Sequence, residues 1–193
     1  MRKLIDRGLR RVLLTVQDDF SGLDKIIEAF FPNTQVQLCT VHMLRNARAH
    51  MSKEDANLFV QQFRTTRHAW NIDQGRHQFE ETCQSWREKY PTFMDYLLKK
   101  RDKYMAFLKF PASLRRTFAT TNAVEALNRQ FEKIRINNSG YFQSAKDLQL
   151  KMGLSIQSLE GGKWSKPTTY VRENLQQLNR LFVLHFESDQ IGE

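Results

Sequence analysis

No apolar run in this 193-residue sequence is long enough to cross a bilayer, which excludes a membrane-spanning helix. The opening "MRKLIDRGLRRVLL" is basic, but its apolar run is too short for a secretory leader and leads straight into acid. Cysteine is scarce. Cys39 and Cys83 are the only two, too few for a disulfide framework, and a reducing compartment fits. A cytoplasmic protein is therefore expected. Internal repeats and low-complexity tracts are also lacking. Acid is in deficit: 21 Asp and Glu face 30 Lys and Arg, for a formal charge of +9. Such an excess suits a polyanionic partner, most simply nucleic acid. Solvated Lys and Arg faces account for the same charge equally well. With 40% hydrophobic residues, the chain can bury a real core, and its length suits one domain or one domain with an insertion.

The apolar runs that are present are short and patterned. "RVLLTV" (11–16) has the continuous, β-branched character of a buried strand. "SGLDKIIEAFFP" reads as a helix with Leu23, Ile26, Ile27 and Phe30 on one face, closed by Pro32. "QVQLCTV" (35–41) reads as a second strand, and "HMLRNARAHM" as a basic helix. This succession predicts a βαβ unit with parallel strands. From about Ser52 to Leu108 the periodicity is helical throughout. "ANLFVQQF", "GRHQFEETCQSW" and "FMDYLLKKRDKYMAFL" are each amphipathic. "TTNAVEALNRQFEKIRI" (120–136) is a strong helix with the apolar stripe Val124, Leu127, Phe131 and Ile134. "NNSGYF" is a turn, "AKDLQLKMGLSIQSL" a further helix, "EGGKWSKP" a loop, and "YVRENLQQLNRLFVLHF" a closing amphipathic helix.

Three stretches carry polar chemistry. In "TVQDDFSGL" the first strand halts on Asp18 and Asp19. Sites in open α/β sheets form at the carboxyl ends of strands, and an Asp there can ligate Mg²⁺. Alternatively Asp18, Asp19 or Ser21 caps the next helix. In "QLCTVHMLRN", Cys39 and His42 have C-x-x-H spacing. A zinc site needs about four ligands. His50, His68, His77 and Cys83 could complete one, although no second pair has metal spacing. Otherwise Cys39 is buried in its strand and His42 caps the strand end by hydrogen bonding, or orients a neighbouring acid. In "TTNAVEALNR", Asn122 and Glu125 fit a capping box, and Glu125 stands one turn before Arg129. The functional alternative has Glu125 facing the Asp18 strand end and sharing a metal. Arg45, Arg48, Arg115 and Arg116 flank these acids in sequence and suit phosphate contact.

Taken together, these motifs resemble the catalytic domain of the mutator-type transposases of bacterial insertion sequences. "LIDRGLRRVLLTVQDDFSGL" is similar to that family's Arg-Gly-Leu, strand, Asp and Gly-Leu segment. "AFFPNTQVQLCTVHMLRN" resembles its Phe-Pro, Gln-x-Cys-x-x-His and Arg-Asn stretch. "FPASLRRTFATTNAVEALNRQFEKIR" resembles its Thr-Thr-Asn-x-x-Glu helix, and "GGKW" with the closing helix resembles its tail. The likeness covers nearly the whole chain, and the joint spacing is specific.

The resemblance implies a DDE transposase with Asp18 as the second carboxylate and Glu125 as the third. Asp19 falls where the family usually has Gly and is not carried over. Cys39 and His42 become the family's C-x-x-H signature beside the site, and Thr121 and Asn122 position the Glu helix. Two Mg²⁺ (or Mn²⁺) ions are implied, with DNA as partner, in terminal repeats and in target, and a nucleoid-associated location when bound. The implied fold is α/β, a partial RNase H-like fold, mostly helical overall. It would keep two parallel strands over residues 1–51, an all-helical insertion over 52–110, and a return to the core with the Glu helix over 111–193.

The family's first Asp lies on a strand upstream of the Arg-Gly-Leu segment, and this sequence starts just before that segment. Asp6, in the helical lead-in, does not replace it. Metal binding is therefore expected to be weak and the chain alone inactive, unless another polypeptide supplies the missing part. The alternative is a non-enzymatic remnant or a regulatory module that binds DNA or full-length transposase subunits. A two-stranded sheet also leaves an edge, at 12–16 or 36–41, that is either uncovered or used in a homo-oligomer.

Overall fold

The computed structural model describes residues 1–162 and 164–187. Lys163, inside the Gly-Gly-Lys-Trp motif, lies outside the described residues. Among those described, the protein is mostly helical with one small parallel sheet. Among the described residues, the first compact unit comprises 1–121 and 176–187, and the second lies within Asn122–Leu175.

In the first unit, α1 (Arg2–Asp6) leads to β1 (Leu14–Gln17), α2 (Leu23–Phe30), β2 (Gln35–Leu38) and α3 (Thr40–His50). The expected strand–helix–strand–helix succession is present, and β1 pairs with β2 in parallel, Leu14 opposite Gln35 and Gln17 opposite Leu38. Both strands are shorter than the sequence suggests. The ladder opens with the Gln35 N–H donating to the Leu13 carbonyl and closes with Cys39 N–H to Gln17. β2 gives way to α3 at Thr40, whose N–H is taken by the Ala119 carbonyl at 2.9 Å. In α2, Ile27 is buried but Ile26 is 48% exposed, so only part of the expected face packs.

Next come α4 (Lys53–Thr66), α5 (Ile72–Arg87), α6 (Pro91–Lys99), α7 (Arg101–Met105), a 3₁₀ turn (Ala106–Lys109) and α8 (Ala112–Phe118). The sequence expectation of one helix through "FMDYLLKKRDKYMAFL" needs correction: the backbone turns at Lys100 (φ −110°, ψ 11°) and separates α6 from α7. Ser52 caps α4 and Asn71 caps α5, each accepting the N–H three residues on. Phe59, Phe63, Phe79, Leu97, Met105 and Phe107 from these helices join Ile27, Val36, Leu38 and Met43 in one hydrophobic cluster. The sheet and the helical block therefore share a core. Burial of this order, at roughly 25 cal/mol per Å² of apolar surface, is the main stabilising force.

The two edges of the sheet differ. Gln37 on β2 is fully buried, and its amide is satisfied by the helical block. Nε2 donates to the Tyr104 carbonyl (3.0 Å) and to Leu38 (2.7 Å), and Oε1 accepts the Phe107 N–H (2.6 Å). On β1 the ladder bonds of Leu13 and Gln17 point toward β2, so the main-chain groups of Leu14 and Val16 point the other way. They make no hydrogen bond among the described residues. The flank of β1 is approached instead by α12 (Leu175–Glu187), where Leu178 and Phe182 line a cavity of about 320 Å³ with Leu13, Leu14, Val16 and Phe110.

The second unit holds α9 (Asn122–Asn137), α10 (Ala145–Gly161) and α11 (Thr169–Glu173). The turn between α9 and α10 uses positive φ at Ser139 (52°) and Gly140 (75°). Lys151 ties α10 to Asn138 at 2.6 Å. The apolar stripe of α9 is only partly covered: no α9 residue is buried, and Val124 is 54% exposed. Two long helices cannot enclose a full stripe between them. The closing helix is also broken, at Asn174 (φ −106°, ψ 12°), where one continuous helix was expected.

Replacing Gln37 by Leu would leave the Phe107 N–H and the Tyr104 carbonyl buried without partners. At about 1–3 kcal/mol for each such group, the variant is expected to lose about 2–6 kcal/mol in urea unfolding. A loss below about 0.5 kcal/mol, the range of an indifferent surface change, would show that this amide does not bridge sheet and helices.

Candidate functional site

The parallel register sets Gln17 opposite Leu38, so the residues that follow, Asp18 and Cys39, leave the sheet side by side. Asp18 Oδ1 lies 2.8 Å from His42 Nδ1 and accepts the Thr121 hydroxyl at 3.1 Å. His42 stands one helical turn after Cys39, at the start of α3. Its Nε2 is 3.1 Å from Arg45 Nη1. A guanidinium can only donate, so Nε2 accepts, which leaves Nδ1, the nitrogen beside Asp18, as the protonated one in the neutral ring. The Cys39 thiol is buried, with Sγ accepting the Thr121 N–H at 3.4 Å and lying 3.4 Å from the Thr121 hydroxyl oxygen, whose one proton goes to Asp18. The segment 119–121 is docked by Thr40, whose N–H and hydroxyl both donate to the Ala119 carbonyl. Motifs separated by up to 103 positions thus meet at one corner.

The adjacent acid turns the other way. Asp19 is held by the hydroxyls of Tyr96 and Tyr104 and by the Lys100 ammonium. Burial pushes its carboxyl up, but the bond and charge of Lys100 and the bonds of the two tyrosines outweigh this, leaving it below the usual carboxylate range. The same neighbourhood, burial first and then the Asp19 charge, pushes the Tyr104 hydroxyl well up. Asp18 faces the candidate site, and Asp19 fastens the β1 end to α6 and α7. The sequence signal for this clamp is the Tyr96–Lys100 spacing of one helical turn, which only a third element could show to be occupied.

Asp18, Cys39 and His42 bring a carboxylate oxygen, a sulfur and a ring nitrogen within 4.8 Å of one another. Among the described residues, no other His, Cys, Asp or Glu joins them in a metal-sized group. His50 stacks on Phe93, His77 lies 3.3 Å from Glu81, and Cys83 is enclosed in the α5 core, where burial pushes its thiol up to about 12. These residues do not complete a zinc set with Cys39. Asn122 and Glu125 occupy the first turn of α9 in the second unit, Glu125 half-buried.

The basic residues divide as well. Arg45 and Arg48 are exposed on α3, and Arg116 is exposed on α8. Arg115 instead spends its guanidinium on the carbonyls of Ala69, Trp70, Leu108 and Phe110, at 2.5–3.3 Å. It acts as a clasp between α8 and the loops before α5 and after α7. Sequence reasoning passed over Arg67, whose Nη2 donates to Thr40 at 3.1 Å.

An acid aimed from a strand end by a Cys-x-x-His helix start and a Thr-Thr-Asn segment defines the class, and comparison with known proteins agrees. The family model described as "Transposase, Mutator family" matches residues 1–158. The chain belongs to the mutator family of transposases. It is 30% identical over 131 residues to the transposase for insertion sequence element IS905 of Lactococcus lactis subsp. lactis (strain IL1403), covering 68% of this chain and 33% of that protein. To the transposase for insertion sequence element ISRM3 of Rhizobium meliloti (strain 1021) it is 32% identical over 143 residues, covering 74% of this chain and 36% of that one. To a probable insertion-sequence transposase of Corynebacterium diphtheriae it is 32% identical over 141 residues, covering 72% and 40%. The chain spans about a third of the length of the first of these relatives. Among the described residues, no helix is long and apolar enough to cross a membrane.

The Asp19 clamp has a definite pH signature. A carboxyl whose folded pKa lies below its unfolded value, about 3.9, adds stability that is complete above that value and is lost as pH falls through the folded pKa. Asp19→Asn is therefore expected to lower the melting temperature at pH 7 and to flatten the acid limb of the stability profile below pH 4. Equal acid limbs in wild type and variant would remove Asp19 from that role.

Proposed function

We propose that this chain forms the catalytic portion of an insertion-sequence transposase, cutting and joining DNA by metal-dependent DDE chemistry on an RNase H-like scaffold. The observation that carries the reading is the convergence of Asp18, His42, Cys39 and Thr121 at the carboxyl end of β1. Asp18 Oδ1 is occupied by His42 and Thr121, while Oδ2 makes no hydrogen bond among the described residues. The side chain is 30% exposed. One oxygen thus faces outward, which suits Mg²⁺ or Mn²⁺, hard ions that take carboxylate and phosphate oxygens. Asp18 and Glu125 would hold such ions, which when bound activate an oxygen nucleophile and stabilise the leaving oxygen of a phosphodiester.

The other residues do ordinary physical work. His42, fixed by Arg45, holds the carboxylate orientation. Thr121 ties Asp18 to Cys39 and sets the start of the Glu125 helix, with Asn122 in its first turn. Arg45, Arg48 and Arg116 neutralise DNA phosphates, which makes binding salt-sensitive. The donors of Arg115 are already engaged by carbonyls. Partners under this reading are the terminal repeats and target DNA, together with further transposase subunits, at the nucleoid in the cytoplasm. Division into a core over 1–51, a helical insertion over 52–110 and a return over 111–193 belongs to the same reading.

The test is Mg²⁺-dependent nicking of insertion-sequence end DNA by the chain, alone or mixed with a full-length mutator transposase. Nicking attributable to the chain is expected to fall to background in Asp18→Ala and in Glu125→Ala. Activity that survives either substitution would strike that residue from the site.

A further inference from the structure

Arg67 stands at the C-terminal cap of α4 and is half-buried. Among the described residues no carboxylate lies within ion-pair distance of it, and its side-chain hydrogen bond is to the neutral Thr40 hydroxyl. Its Nε is buried and has no partner. Burial first, then the like charges of Arg64 and Arg116, draw its pKa down, offset in part by Cys39. Arg64 is one turn back on α4, and Arg116 is on α8, three residues before the Ala119 carbonyl that Thr40 binds. Partly burying a cation without a counter-charge is costly, and gathering two more guanidiniums around it adds to the cost. Part of the favourable interaction comes from the α4 carboxyl end, which attracts positive charge. The unmatched donors call for an anion.

Its place in the fold says which anion. Thr40, which holds Arg67, is the residue after Cys39, and Cys39 is bonded to the same Thr121 that binds Asp18. We propose that Arg67, flanked by Arg64 and Arg116, is a seat for a backbone phosphate of the DNA whose cleavage is assigned to Asp18. This rests on the reading under Proposed function and adds the residues that would position the strand. Guanidinium matches phosphate with parallel N–H bonds, which an ammonium cannot do. The seat would be joined to the carboxylate through Thr40, Cys39 and Thr121, making Arg67 a substrate-positioning residue.

The experiment uses the full 193-residue chain, a short DNA duplex and inorganic phosphate as probes, and the variants Arg67→Gln and Arg67→Met. Duplex affinity is measured by anisotropy across a salt series, and melting temperature is measured without DNA. The expected result is an affinity loss on the order of tenfold and a salt slope shallower by about one. Melting temperature should be unchanged or raised, because an unpaired partly buried charge has been removed. Unchanged affinity and slope would overturn the seat while leaving the transposase reading intact. Lower affinity with a lower melting temperature in both variants would assign Arg67 to the fold and overturn it too. Phosphate binding that depends on Arg67, without duplex binding, would assign the seat to free phosphate and overturn the phosphodiester. Absence of duplex binding by the wild type at low salt would count against both readings.

Discussion

The first unit depends on one buried amide. Gln37 sits in the middle of β2, where an apolar side chain would normally be, and is wholly enclosed. It survives there because each polar atom finds a partner on the segment joining α7 to the 3₁₀ turn. That pairing fixes Tyr104, and the Tyr104 hydroxyl in turn contacts Asp19. With Tyr96 and Lys100 on the same carboxylate, the end of β1 has no freedom to swing. Asp18 is then aimed at α3 by default. Orientation of the candidate site is set by a chain of polar contacts that begins in the hydrophobic core.

Two neighbouring carboxylates therefore do unlike work. One is consumed in holding the fold, and the other is left with an oxygen turned outward. The Cys-x-x-His spacing has a matching explanation. Cys39 receives the Thr121 segment and His42 receives Asp18, so the motif joins two elements that meet at the strand end. Its donor atoms and the Asp18 carboxylate come within 4.8 Å of one another. What sets Asp18 apart from an ordinary helix-capping acid is that neither of its two partners is the following helix.

Much of this was legible from local pattern. Continuous β-branched runs gave β1 and β2, and 3.6-residue periodicity gave α3, α4, α5, α9 and α10. Parallel pairing followed from a helix placed between two strands. The family, too, could be read from the order of its motifs. Breaks at Lys100 and Asn174 were not legible, because neither carries the proline or glycine that usually marks such a stop. The role of Arg115 was also hidden: an Arg next to another Arg looks like a DNA contact, and only tertiary structure shows four carbonyls around it. Arg67 was missed for the opposite reason. Nothing in "FRTTRHAW" says that one of its two arginines folds inward without an acid to meet it. The exposure of Val124 belongs to the same class, since a stripe tells which face is apolar but not how much material exists to cover it.

The order in which the chain is made bears on the flank of β1. Residues 14–38 can pair as soon as they leave the ribosome, since the strands are separated only by α2. The helix bearing Leu178 and Phe182, which lines the other side of the β1 cavity, is synthesised some 160 residues later than β1. At roughly 5–20 residues per second that is a delay of roughly 10–30 s. Throughout that interval Leu14 and Val16 present unbonded main-chain groups beside apolar side chains. On a polysome, neighbouring nascent chains would carry the same edge at the same stage. The interval between β1 and the helix that lines its flank is thus set by translation.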